Sequence, residues 1–281
     1  MEAMNHHEPF WSLGFYTLWH PLLLVLLIVL GWLYIRFAYI KEGRPSKLKL
    51  FLFISGLFFF YLAEGSPLKA FGHHYLFTAH MLTMSITYFI VPPLILKGLY
   101  PWMVAPIFKI PLLKKIFKFW TQPILAALTF NVLLSFYHIP LLFNWIMAHG
   151  WTMFVSNIIL IFFSFMMWWL VFPPLLEHIK VLTDFQKLGY VFVTSVVLTP
   201  ACAMIMFSDH FLYHQTANAT TVFEFLPPLQ DQKSGGVIMK ILQELVFVCV
   251  LASVVYRWAK NERDPEQDDL NPKTTVDLIH Q

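Results

Sequence analysis

The sequence predicts an all-α, polytopic membrane bundle of about seven transmembrane helices, with its N-terminus outside and its C-terminus inside. Three observations predict it. Of the 281 residues, 58% are hydrophobic and 12% charged, whereas soluble domains run at about 45–50% apolar and about 25% charged. Apolar runs recur at lengths near the roughly 20 helical residues that cross a hydrocarbon core. The basic residues collect in alternate loops, which sets the direction of crossing.

The first run covers residues 18–39. Residues 1–20 hold no Lys or Arg, whereas a cleavable signal peptide opens with a positive region, so this span is expected to stay in the mature protein. The second run, 48–63, is short and leans on Lys47 and Lys49 to snorkel. Runs 75–96, 119–138, 151–172, 188–207 and 237–258 complete the set. Each must be helical, because hydrocarbon offers an open backbone no partner. Residues 100–120, rich in lysine and proline, read as a basic amphipathic stretch at the inner headgroups. Residues 208–236 form the longest outer loop, a length at which loops are often functional. The membrane domain is taken as 1–260, and the polar stretch 261–281 as a cytoplasmic tail expected to be disordered.

Orientation follows from charge. Arg36, Lys41, Arg44, Lys47 and Lys49 follow the first span; Lys97, Lys109, Lys114, Lys115 and Lys118 lie between the third and fourth. Lys180 and Lys187 join the fifth to the sixth, and Arg257, Lys260, Arg263 and Lys273 follow the seventh. These are sixteen of nineteen basic residues, so their loops are cytoplasmic by the positive-inside rule. The lysines flank apolar spans and form no basic face interleaved with aromatics, which argues against nucleic-acid binding. Cys202 and Cys249 make no CxxC pattern. Without a Gly-rich phosphate loop, a nucleophile elbow, an HExxH motif or clustered carboxylates, an enzyme is not expected.

Histidine is sorted by this topology. His6, His7, His20, His73, His74, His80, His138, His149, His210 and His214 fall outside, ten of the twelve. Methionine keeps them company at helical spacing: His80 with Met84, His149 with Met153, and Met206 with His210. Three such pairs stand against about one from random placement. Imidazole with thioether is the donor set that a soft cation such as Cu(I) selects. His80 lies inside the third span, where a polar group is rare without a partner. Most of the other histidines, taken singly, are ordinary interfacial polar residues, and most methionines are core filler. Lys240 and Glu244, four apart near the top of the seventh span, read as a mutual ion pair, with Glu244 otherwise a hard ligand or proton carrier. Asp231 is an outer-loop acid.

Several of these residues form a pattern. Ser66-Pro67-Leu68, His80-Met81-Leu82, Pro92-Pro93-Leu94, His138-Ile139-Pro140, His149, Trp168-Trp169 with Pro173, and Asp231-Gln232 before Gly235-Gly236-Val237-Ile238-Met239 come in an order that resembles the integral-membrane CtaG assembly factors of cytochrome c oxidase. The resemblance spans residues 66–239. It implies a role in building a haem–copper oxidase of the bacterial cell membrane, with oxidase subunits and membrane lipid as partners, and copper delivery as the associated chemistry. His80, His138 and His149 are then the expected core ligands, with Met84, Met153, His210 and His214 as auxiliary donors and His73, His74, Met206, Asp231 and Glu244 as secondary candidates. Where many relatives carry a second histidine one turn after the first, this chain has Met84; beyond His149 it reads Met153, Ser156 and Asn157. A thioether there keeps a Cu(I)-compatible donor and weakens binding of Cu(II) or Zn(II). The alternatives are a membrane haem protein, with histidines from different helices on the iron, and a cofactor-free scaffold for oxidase subunits.

Overall fold

A computed structural model describes residues 14–176, 182–213 and 226–269, with side chains to residue 260. The described residues form helices and no strand. Six segments are long and apolar enough to cross a membrane: Phe15–Glu42, Lys47–His74, Phe77–Gly98, Gly150–Trp169, Asp184–Phe207 and Pro228–Lys260. A pair of helices bent by 79°, Pro111–Trp120 and Pro123–Tyr137, passes the same test when taken together, which gives six spans, or seven with this pair counted as one. The chain is an all-α, multi-pass membrane protein, as its composition required.

In chain order the helices are α1 (Phe15–Trp19), α2 (Pro21–Glu42), α3 (Lys47–Glu64), α4 (Pro67–His74), α5 (Phe77–Ser85), α6 (Val91–Gly98), α7 (Pro101–Lys109), α8 (Pro111–Trp120), α9 (Pro123–Tyr137), α10 (Pro140–Met147), α11 (Gly150–Trp169), α12 (Asp184–Phe207) and α13 (Pro228–Asp269). A π-helical turn, Ile86–Ile90, joins α5 to α6. Proline punctuates the chain: it opens α2, α4 and α7 to α10, where its missing N–H costs nothing. At Gln122-Pro123 it also turns the fourth span. The residue before proline avoids the α region, so the basic helix α8 stops at Trp120 and α9 leaves at a steep angle. The fifteen residues of α9 reach only about 22 Å at 1.5 Å per residue. No side chain of α8 is buried.

The third span, α5 to α6, is the most buried of all. It packs on α4 and α13 through α5 and on α3 through α6, while α12 lies against both α13 and α9. The π-turn has a cause in the sequence. Pro92 and Pro93 have no N–H to offer, so the Tyr88 carbonyl has no donor at either helical or π spacing. Two side chains of α11 replace it, Ser164 Oγ at 2.6 Å and Trp168 Nε1 at 3.0 Å. Asp231 performs a similar service at the other end. It accepts from the backbone N–H of Phe77 (2.6 Å) and Thr78 (3.1 Å), capping α5 from α13, 154 residues away in sequence. The outer-loop acid is therefore a buried structural cap, 3% exposed.

Gln232, next to it, is fully buried and holds the Leu212 N–H and the His210 carbonyl. At Gly235 a Cβ would stand 2.5 Å from the Phe77 ring, so only glycine allows α13 this close to α5. Asp231, Gly235, Pro92-Pro93 and Trp168, all motif residues, thus sit where α13, the third span and α11 pack together. Lys240 and Glu244 form the expected ion pair at 2.5 Å, with Ser195 Oγ donating to the same carboxylate. Helix α13 continues past Lys260 to Asp269; the remainder of the polar tail lies outside the described residues.

Candidate functional site

Ser66 opens the local architecture. Its Oγ accepts from the Leu68 N–H and donates to the Leu62 carbonyl, so the chain turns from α3 into α4 without a break in hydrogen bonding. Helix α4 then lies on the first turns of α5. A Cβ at Gly72 would come within 2.7 Å of the His80 backbone nitrogen, so glycine sets how closely the two helices approach. This contact places His73, at the end of α4, beside His80.

A cavity of about 110 Å³ opens at this junction, between α4, the third span and α11. Its soft donors are His73, His80, Met84 and Met153. His80 and Met84 share one face of α5 by their spacing of four, and Met153 comes from α11. The His80 Nε2 atom is 3.2 Å from the Tyr137 hydroxyl, which in turn donates to Met147 Sδ at 3.8 Å. Phe143 meets the His80 ring edge-on, with centroids 5.5 Å apart. The imidazole is thus held among Tyr137, Phe143 and Phe77 and lines the cavity.

Glu64 and Lys69 line the same cavity as an ion pair. Glu64 receives Lys69 Nζ at 2.5 Å, Asn157 Nδ2 at 3.1 Å and Thr87 Oγ1 at 3.2 Å. Tyr88 donates to Asn157 Oδ1 at 2.7 Å, so the network joins α3, α4, the π-turn and α11. The Glu64 side chain is 12% exposed. An ionised carboxylate this buried needs the partners it has. Sequence reasoning missed Glu64 because the second span was ended at Ala63, one residue short. Carrying the helix to the Ser66-Pro67 break would have placed an acid inside it.

The other candidates divide cleanly. His138 is fully buried as the last residue of α9's C-terminal turn. Its Nδ1 faces the Leu134 carbonyl at 2.6 Å, and its own carbonyl accepts from Tyr213 at 2.7 Å. It stands behind Tyr137 and does not line the cavity. His149 is exposed, its Nδ1 3.0 Å from the Trp145 carbonyl, and only Met153 of that pair reaches the pocket. His210 is exposed beside Ser208, and Met206 packs on the core beneath Gly236. His74 is exposed with its ring 4.5 Å from that of His73. His214, His6 and His7 lie outside the described residues.

Among the described residues, no group of three or more His, Cys, Asp or Glu is arranged to hold a metal ion. A soft cation here would therefore depend on thioethers. The chemistry of the donors fits one: two imidazoles and two methionines face one small cavity. Three buried imidazole nitrogens, His73 Nδ1, His138 Nε2 and His20 Nδ1, also have no hydrogen-bond partner, and such atoms are uncommon in native proteins.

These features define a polytopic membrane protein with a polar, histidine- and methionine-lined pocket near one end of its bundle. The chain belongs to the family of cytochrome c oxidase caa3 assembly factors (Caa3_CtaG), whose family model matches residues 26–261. The resemblance drawn from the motif residues holds. Neither a curated protein nor a solved structure matches the chain.

Proposed function

We propose that this assembly factor holds Cu(I) as cargo in the pocket around His80 and passes it to an oxidase subunit at the outer face of a bacterial cell membrane. The observation that carries this reading is the convergence of His73, His80, Met84 and Met153, from three separate elements, on one cavity of about 110 Å³. Cu(I) prefers nitrogen and sulfur donors. Methionine sulfur on a flexible stem exchanges readily, which suits a protein that must release what it binds. Glu64, paired with Lys69, lines the pocket, and its network fixes the helices that carry the donors. His80 gives up its contact with Tyr137 when Nε2 turns to the ion. The small volume favours an ion over a haem macrocycle. The role is one of delivery, without bond-making chemistry on a substrate.

The test is made in cells that depend on the oxidase. Replacing His80 with Ala, or Met84 and Met153 together with Leu, is expected to leave the assembly factor in the membrane but yield oxidase deficient in copper and in activity. Oxidase with full copper content in both variants excludes the cargo reading and leaves a scaffold.

A further inference from the structure

At the end of the bundle that carries the basic loops, a cleft of about 670 Å³ is cut between α3, α6, the segment 171–176, α12 and α13. Four cations line it: Lys49 from the first turn of α3, Lys97 from the last turn of α6, Lys187 from α12 and Arg257 from α13. Asp184 is the one carboxylate among the described residues lining it. It serves two of them, Arg257 at 3.2 Å and Lys187 at 3.6 Å. Lys187 is only 7% exposed, and lysine is almost never this buried unless paired.

The other two cations have no carboxylate partner among the described residues. Lys49 donates to the Leu99 carbonyl at 3.2 Å and lies 4.3 Å from the Tyr100 ring. Lys97 lies 4.8 Å over the Phe172 ring. Among the described residues, four positive charges against one negative, gathered on low-dielectric walls, call for an anion. The place decides which. The cleft lies where α3 begins and α6 ends, the end of the bundle that the positive-inside rule assigns to the inner headgroups, and its lining includes Leu48 and Leu176, which are 66% and 59% exposed. An anion with an apolar tail satisfies both the cations and the leucines. Basic pockets between transmembrane helices on the cytoplasmic side are a known way to hold lipid headgroups.

We propose that this cleft binds the headgroup of an anionic phospholipid of the inner leaflet, with its phosphate among Lys49, Lys97 and the Lys187–Arg257 pair and its acyl chains along Leu48 and Leu176. Such a lipid joins α3 and α6 to α12 and α13 at the end of the bundle opposite the histidine pocket.

The experiment is native mass spectrometry of the full chain in detergent, offered phosphatidylglycerol and phosphatidylcholine together. Lys49→Gln and Lys97→Gln are the variants, since each removes a charge without breaking an ion pair. Wild type is expected to retain phosphatidylglycerol selectively, with retention falling about fivefold per lysine removed, as about 1 kcal/mol for each basic residue at a membrane surface implies. Equal retention of the two lipids overturns the proposal, as does undiminished retention by the double variant. Release of the lipid by millimolar inorganic phosphate also overturns it, since the cleft would then be a site for a free anion. Should the double variant lose its helical circular dichroism, Lys97→Gln alone carries the comparison.

Discussion

Glu64 and His80 line one pocket although sixteen positions of sequence separate them, one as a buried carboxylate paired with Lys69 and the other as one of two imidazoles. The Glu64 carboxylate holds one ammonium, one amide and one hydroxyl, so its loss is felt by three elements. Glu64→Gln keeps the shape and removes the charge. Lys69, with a third of its side chain exposed, can then turn to solvent, so the fold survives. The variant is expected to bind Cu(I) about tenfold more weakly in an anaerobic competition titration, the low end of the usual cost of altering a group behind a metal ligand. An unchanged affinity would show that the carboxylate is only a structural tie. At this scale the sequence was informative about His80 and Met84, whose spacing alone puts them on one helix face. It was uninformative about His138 and His149. Each is a sound candidate by type and depth, yet their ring nitrogens are directed to carbonyls four residues earlier in their own segments. A histidine at a helix end can always make that bond, and nothing local announces whether it does.

The elements show why some of the site could not be read from residues alone. That His73 meets His80 depends on how closely α4 crosses α5, and Gly72 sets that distance through a contact with backbone. Gly72→Ala puts a methyl group within 3 Å of His80 backbone atoms, which forces the helices apart. The expected cost is about 1–3 kcal/mol, seen as a lower thermal unfolding temperature in detergent, together with weaker Cu(I) binding. Gly189→Ala is the control, since a Cβ there meets nothing within 4 Å, and it is expected to leave both properties unharmed. A Gly72→Ala chain with wild-type stability would mean that the helices are not held as described. The spans were legible from hydropathy to within a few residues at most ends. The exceptions have physical causes: α13 begins well before its apolar run because Asp231 and Gln232 are satisfied inside the protein, and the fourth span bends at Gln122-Pro123. The π-turn was written in Pro92-Pro93, but its partners, Ser164 and Trp168, come from another helix.

For the whole molecule, alternation of charge along the chain becomes a division between two ends. Lys49, Lys97, Lys187 and Arg257 meet at one, and the Asp231 cap and the Tyr213–His138 bond lie at the other. The positive-inside rule puts the basic end, and with it the end of α13, on the cytoplasmic side. A C-terminal green fluorescent protein is expected to fluoresce in whole cells and a C-terminal alkaline phosphatase to be inactive; the reverse pattern would invert the topology and place the histidine pocket inside. With that orientation, the His80 pocket lies at the end of the bundle away from the basic loops. X-ray absorption at the copper edge, on the purified chain loaded anaerobically with Cu(I), tests this account most directly. It predicts nitrogen and sulfur scatterers together, with the sulfur shell lost from the Met84→Leu, Met153→Leu double variant and copper retention lost from His80→Ala. A chain that retains no Cu(I), or one whose copper environment is untouched by all three substitutions, would contradict it.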